Sequence, residues 1–116
     1  MITLSLATAL LCFAPSDCVP VLVGKKTPTG VFAMQQYRTD KPGFGGDVVV
    51  FDETPKLAFA LHRVWTLKPQ EKRVERLRGG TAGRLNVTNG CVNLLPEHYD
   101  RLVATLGADK ALVVTR

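Results

Sequence analysis

Apolar and polar positions alternate at once: Ile2, Leu4 and Leu6 fall on one side of an extended chain, Thr3 and Ser5 on the other. That period of two predicts a first β-strand rather than the core of an export signal. The stretch from Met1 to Ala14 has the length of such a signal but no basic start and a poor small-x-small end. Cys18 to Gly24 predicts a second strand paired to the first, with Pro20 demanding an edge or a bulge because it has no N–H to donate. Lys25 to Gly30 is a turn built on Pro28 and Gly30. A third strand is expected over Val31–Tyr37, followed by an irregular loop from Asp40 to Gly46. Asp47–Phe51 and Lys56–His62 then form a hairpin around Asp52-Glu53-Thr54-Pro55.

Downstream the period changes. Residues 69–77 read as a short, mostly polar helical segment stopped by Gly79-Gly80. Residues 96–106 predict an amphipathic C-terminal helix. Pro96 suits its first position, Tyr99, Leu102, Val103 and Leu106 share a face, and Gly107 lies just past the end. Ala111–Thr115 closes the chain as a strand. The sum is a mainly β, single-domain chain. Its 116 residues, 46% of them hydrophobic, suffice for one core.

Charge changes the picture in one place. The formal net charge is +5, and the segment from Arg63 to Arg84 holds seven basic residues against two acidic ones, an excess equal to the whole net charge. The segment is either a solvated face or a wall that attracts an anionic partner. No aromatic stacking platform or nucleic-acid motif accompanies it, so no nucleic acid partner is expected. No apolar run is long enough to predict a membrane span. Cys-x-x-Cys and His-Glu-x-x-His spacings are absent, and no metal is expected.

The three cysteines divide unevenly. In an oxidising compartment the simplest pairing joins Cys12 to Cys18 across a turn and leaves Cys91 free; two buried, reduced thiols are the alternative. Cys91 stands directly after Gly90 in the polar turn Asn86-Val87-Thr88-Asn89-Gly90 and leads into Val92-Asn93-Leu94. A thiol so presented is a candidate nucleophile. A free cysteine, with a pKa of about 8.5, needs a base or a positive field to ionise at neutral pH. His62, at the end of the Lys56–His62 arm, is the candidate base. The other histidine, His98, falls beside Tyr99 on the C-terminal helix and reads as solvent-facing.

The tract Thr88-Asn89-Gly90-Cys91-Val92-Asn93 resembles the Ser/Thr-x-Gly-Cys-Ile/Val-Arg/Asn motif of YkuD-type L,D-transpeptidases, and Thr27-Pro28-Thr29-Gly30 and Leu61-His62 stand in the matching order. The resemblance implies a YkuD-like β-sandwich or mixed-sheet domain at the bacterial cell envelope, periplasmic or extracellular, that needs no cofactor. It implies attack by Cys91 on peptidoglycan tetrapeptide stems, release of D-alanine, and a cross-link between diamino acids. Thr88, Asn89 and Gly90 would shape the turn, with backbone N–H groups near Gly90 and Cys91 forming the oxyanion hole.

Two departures go together. Many family members carry arginine where this chain has Asn93, and His62 lies 29 positions before Cys91, longer than usual in the family. The expectation is that an arginine of the basic segment supplies the missing charge: Arg84 first, or Arg63, Arg73, Arg76 or Arg78. Trp65 either walls the site or packs in the core. Two rival readings stay open. In one, the same thioester is resolved by water, as in an L,D-carboxypeptidase or a cell-wall-damaging toxin; in the other, the chain is a non-catalytic cationic module that binds peptidoglycan.

Overall fold

The structure, a computed structural model, describes all 116 residues. Nine strands make two mixed sheets. One holds β1 (Ile2–Ser5), β2 (Leu10–Ala14), β3 (Asp17–Pro20), β4 (Gly30–Ala33) and β9 (Ala111–Thr115) in the order β3-β2-β1-β9-β4. The other holds β5 (Gln35–Arg38), β6 (Asp47–Glu53), β7 (Ala58–Arg63) and β8 (Val92–Leu94) in the order β5-β6-β7-β8. Two short helices, α1 (Arg73–Leu77) and α2 (Pro96–Thr105), complete the domain. The mainly β expectation and the C-terminal helix stand as read. No helix is long and apolar enough to cross a membrane.

The alternation at the N-terminus has a direct cause. Ile2 and Leu4 are fully buried while Thr3 is exposed, and β1 lies in the middle of its sheet, antiparallel to β2 and parallel to β9. The main core draws Ile2, Leu4, Leu112 and Val114 from this sheet and Val49, Phe59, Leu61 and Val92 from the other. Tyr99 and Leu102 of α2 complete it at the i, i+3 spacing of one helical face.

The tract expected as one N-terminal strand is a hairpin of two, β1 and β2, and three further elements differ from expectation. The run from Val31 to Tyr37 is two strands, because Met34 drops into the core and its N–H bonds to Lys110 while the chain passes from one sheet to the other. No glycine or proline marks that step. The Cys18–Gly24 run ends as a sheet strand at Pro20, and its partner is β2, with Cys12 opposite Cys18. These two cysteines form a disulfide, and Cys91 is free. Residues 21–24 leave the sheet and bridge to the Cys91 region through Leu22 with Asn93 and Gly24 with Thr88. Finally, the polar segment 69–77 breaks at Lys72, which takes a left-handed φ of 52°, into a 3₁₀ turn (Pro69–Glu71) and α1.

Candidate active site

Strand register brings the two candidate groups together. In the parallel pair β7–β8, Leu61 lies opposite Val92 and His62 opposite Asn93. Side chains alternate between faces, so Leu61 and Val92 enter the core while His62 and Asn93 share the other face. Cys91, the residue before β8, falls on that same face, diagonal to His62. Both line one cavity of about 370 Å³. Its apolar wall comes from Phe44, Leu57, Phe59, Trp65 and Val87, and its polar wall from Lys68, Glu71, Arg73, Thr88, Asn89 and Asn93.

The turn that carries Cys91 is locked from both sides. The Thr88 hydroxyl donates to the Cys91 carbonyl at 2.6 Å and accepts the Gly90 N–H at 3.0 Å. Buried Thr27 reaches across from the Thr-Pro-Thr-Gly turn: its hydroxyl donates to the Gly90 carbonyl at 2.9 Å and accepts the Gly24 N–H at 3.0 Å. Two glycines permit this closeness. A Cβ on Gly24 would sit 2.1 Å from the Thr88 carbonyl oxygen. Gly90 has a φ of +130°, and a Cβ there would meet Phe59 at 2.4 Å. The Gly90 N–H is therefore already engaged, whereas the Cys91 N–H makes no hydrogen bond within the chain. Asn89 is exposed at the cavity rim. The Cys91 sulfur is partly exposed and lies 3.9 Å from the Ala58 carbonyl oxygen.

His62 is 3% exposed. Its Nδ1 lies 2.7 Å from the Arg63 carbonyl oxygen. A carbonyl only accepts, so Nδ1 carries the proton and Nε2 keeps the lone pair. Burial pushes the imidazole down to a pKa of about 4. The Arg63 carbonyl opposes that shift and the nearby Arg73 charge reinforces it. The ring is neutral at pH 7. Phe44 meets it edge to face, with centroids 4.6 Å apart and planes at 79°.

The basic segment does not act as one wall. Arg73 lines the cavity; it donates to the Asn93 side-chain oxygen at 3.1 Å and pairs with Glu71 at 3.0 Å. Asn93 is fully buried, and its oxygen also accepts the backbone N–H of Trp65 at 3.1 Å. Trp65 walls the cavity, with the Arg73 guanidinium 5.2 Å from its ring centroid.

Arg84, the first choice from sequence, is elsewhere. It is 6% exposed and donates to the carbonyls of Gly79 at 2.7 Å, Thr8 at 3.0 Å and Ala9 at 3.4 Å, so its charge supports the fold away from the cavity. Arg63 follows His62 in a strand and must point to the opposite face; there it pairs with Asp47 at 2.8 Å. Arg76 donates to the Glu71 and Gly83 carbonyls and does not line the cavity. Arg78 is exposed and outside it. His98 is half-buried rather than solvent-facing, with its Nδ1 enclosed and unpaired, and it too lies outside the cavity.

Phe44, Leu57 and Glu71 escaped the sequence reading. Phe44 left a trace there, as a single aromatic in the glycine-rich tract Gly43-Phe44-Gly45-Gly46.

No protein-family model and no curated protein matches this sequence. Solved structures do match its fold. L,D-transpeptidase 3 from Mycobacterium tuberculosis, in complex with a faropenem-derived adduct, superimposes with a TM-score of 0.59 at 15% identity over 99% of this chain and 59% of its own. An L,D-transpeptidase (Yku) from Stackebrandtia nassauensis gives 0.59 at 16% identity over 99% of this chain and 54% of its own. The LD transpeptidase LdtMt1, in complex with imipenem, gives 0.56 at 20% identity over 98% and 57%. The domain therefore has the YkuD-type L,D-transpeptidase fold. It spans less than two thirds of the length of these proteins.

Proposed function

We propose that this chain is a cysteine acyltransferase of the L,D-transpeptidase type, acting on peptidoglycan tetrapeptide stems at the cell envelope. The observation that carries the reading is the convergence of Cys91 and His62 on one cavity, with Nδ1 of His62 tied to a carbonyl and Nε2 left as acceptor. Because the imidazole rests neutral, it begins the cycle as a base rather than as a standing cation beside a thiolate.

In this mechanism Nε2 takes the Cys91 proton as the sulfur attacks the amide carbonyl between the diamino acid's L-centre and the following D-residue. The S–C bond forms and the carbonyl π pair moves to oxygen. The Cys91 N–H, which makes no hydrogen bond within the chain, is available to donate to that oxyanion. Collapse breaks the C–N bond, and D-alanine leaves with the proton held on Nε2. An amine of a second stem then attacks the thioester, gives its proton to His62, and expels the thiolate, which is reprotonated. Thr88 and Thr27 keep the turn rigid through both steps. Arg73 takes the part of the family's motif arginine: Asn93 holds its guanidinium at the cavity, where it can pair with a stem carboxylate.

The cationic binding module is the weaker reading, because Arg63, Arg73, Arg76 and Arg84 are all engaged by acceptors within the chain. Intact-mass analysis after exposure to imipenem tests the nucleophile. The expected result is an adduct on Cys91, absent from Cys91→Ala, and slower by about 10²–10⁴-fold in His62→Gln. A folded protein that takes no adduct would remove the proposal. Purified tetrapeptide stems then separate the outcomes of the thioester: dimers report transfer, and tripeptides alone report the hydrolytic alternative.

A further inference from the structure

We infer that Asp47 and Arg63 are positioning residues that clamp the 43–46 loop over the His62 imidazole, so that the ring is held both at Nδ1 and by Phe44. The geometry lies on the side of β7 away from the cavity. One Arg63 amino group, NH1, donates to Asp47 Oδ1 at 2.8 Å and to the Phe44 and Gly45 carbonyls, each at 3.2 Å. Asp47 Oδ2 in turn accepts from the Tyr99 hydroxyl and from Gln36 Nε2, both at 2.7 Å. Tyr99 is fully buried on α2, and the Arg63 guanidinium sits 4.4 Å from its ring centroid. The clamp is thus anchored in the core at one end and grips a loop at the other.

The loop end carries the consequence. Phe44, fixed through its own carbonyl, lays its ring edge to face with His62. The Arg63 carbonyl accepts the Nδ1–H of the same imidazole. One residue therefore controls the ring twice, by main chain and by side chain. Burial opposes the charge on Asp47, but hydrogen bonds from Tyr99, Arg63 and Gln36 outweigh it and hold the carboxyl below the usual carboxylate range, so Asp47 stays ionised through the neutral range. The titratable and charged groups on the cavity side of His62 are Lys68, Glu71, Arg73 and Cys91. None of them touches the 43–46 loop through a hydrogen bond or ion pair. Removing the clamp should free Phe44, admit water to the imidazole, and raise its pKa toward the ordinary value.

The inference rests on the proposed function only for its effect on turnover; the ring itself can be read with no substrate present. The experiment is an NMR titration of the histidine ring protons in the whole chain, with the second histidine assigned by His98→Gln. Wild-type His62 is expected to titrate near pH 4. Arg63→Ala and Phe44→Ala should each raise it by about one pH unit or more, and the double variant by no more than the larger single shift. Arg101→Ala, which breaks the distant pair with Asp17, should leave it in place. Should Arg63→Ala not fold, Asp47→Asn removes one arm of the clamp and is expected to shift His62 in the same direction. The inference is overturned if Phe44→Ala leaves His62 at its wild-type value, if Arg63→Ala or Asp47→Asn does so while Phe44→Ala moves it, or if the double variant gives the sum of two independent shifts. Turnover lost in His62→Gln but kept in Arg63→Ala, with the ring titration shifted, would leave the clamp standing and limit its catalytic weight.

Discussion

The two sheets use strands of similar length, yet they bury different chemistry. No strand of the five-stranded sheet contributes a buried polar side chain. The four-stranded sheet places His62 and Asn93 side by side in β7 and β8, with buried Thr27 bonded to the neighbouring Gly90 turn. Hydrocarbon packing is tolerant of substitution, whereas each buried polar group requires its own partner. Three of the four buried polar side chains, Thr27, His62 and Asn93, gather where the reaction is proposed, and the fourth, Arg84, ties the β1–β2 turn of the five-stranded scaffold sheet to Gly79.

The largest contrast should come from two arginines of one segment. Arg84→Met strips three backbone carbonyls of a charged donor and should cost about 3 kcal/mol or more in urea unfolding. Arg73→Met, at the cavity, should cost under about 1 kcal/mol while raising KM for stem peptides. Equal losses of stability in the two variants would erase the distinction between scaffold and site.

Acid should act on the site side. The folded pKa of His62, about 4, lies below its ordinary 6.5, so between those values the unfolded chain binds a proton that the folded one refuses. Stability contributed by the neutral ring is complete above pH 6.5 and falls as pH drops toward 4, by about 1.4 kcal/mol per unit and roughly 3 kcal/mol in all. His62→Gln should flatten this part of the pH–stability curve, as followed by chemical denaturation.

The scaffold side should respond to redox conditions instead. Cys12→Ser with Cys18→Ser opens a short loop at the β2–β3 hairpin and should cost about 2 kcal/mol with turnover per folded molecule unchanged. Smaller still in stability, about 1–2 kcal/mol, is Thr27→Val, which leaves the Gly24 N–H and the Gly90 carbonyl without their partner. Its loss in kcat should exceed that of the double serine variant, because the Cys91 turn loosens.

Period-two and helical patterns made most elements legible, since they record which face meets the core: Ile2 and Leu4 in β1, Tyr99 and Leu102 in α2. The break at Met34 was hidden because a strand that changes sheet keeps its local pattern. At the site, Cys91 after Gly90 was readable, as was His62 at the end of its arm. The choice of arginine was not, because two of the three carbonyls that hold Arg84 lie some 75 positions away. Arg63 could have been set aside from sequence alone, as the strand neighbour of an inward-facing histidine. The 43–46 loop contacts could not be read at all, because they depend on tertiary placement.

Release of D-alanine from a purified tetrapeptide stem, measured in a single turnover together with the mass of the protein, tests the account most directly. Wild type should release D-alanine while gaining a thioester-linked acyl group on Cys91, and folded Cys91→Ala and His62→Gln should do neither at a comparable rate. D-alanine released by folded Cys91→Ala, or none released by folded wild type, would contradict it.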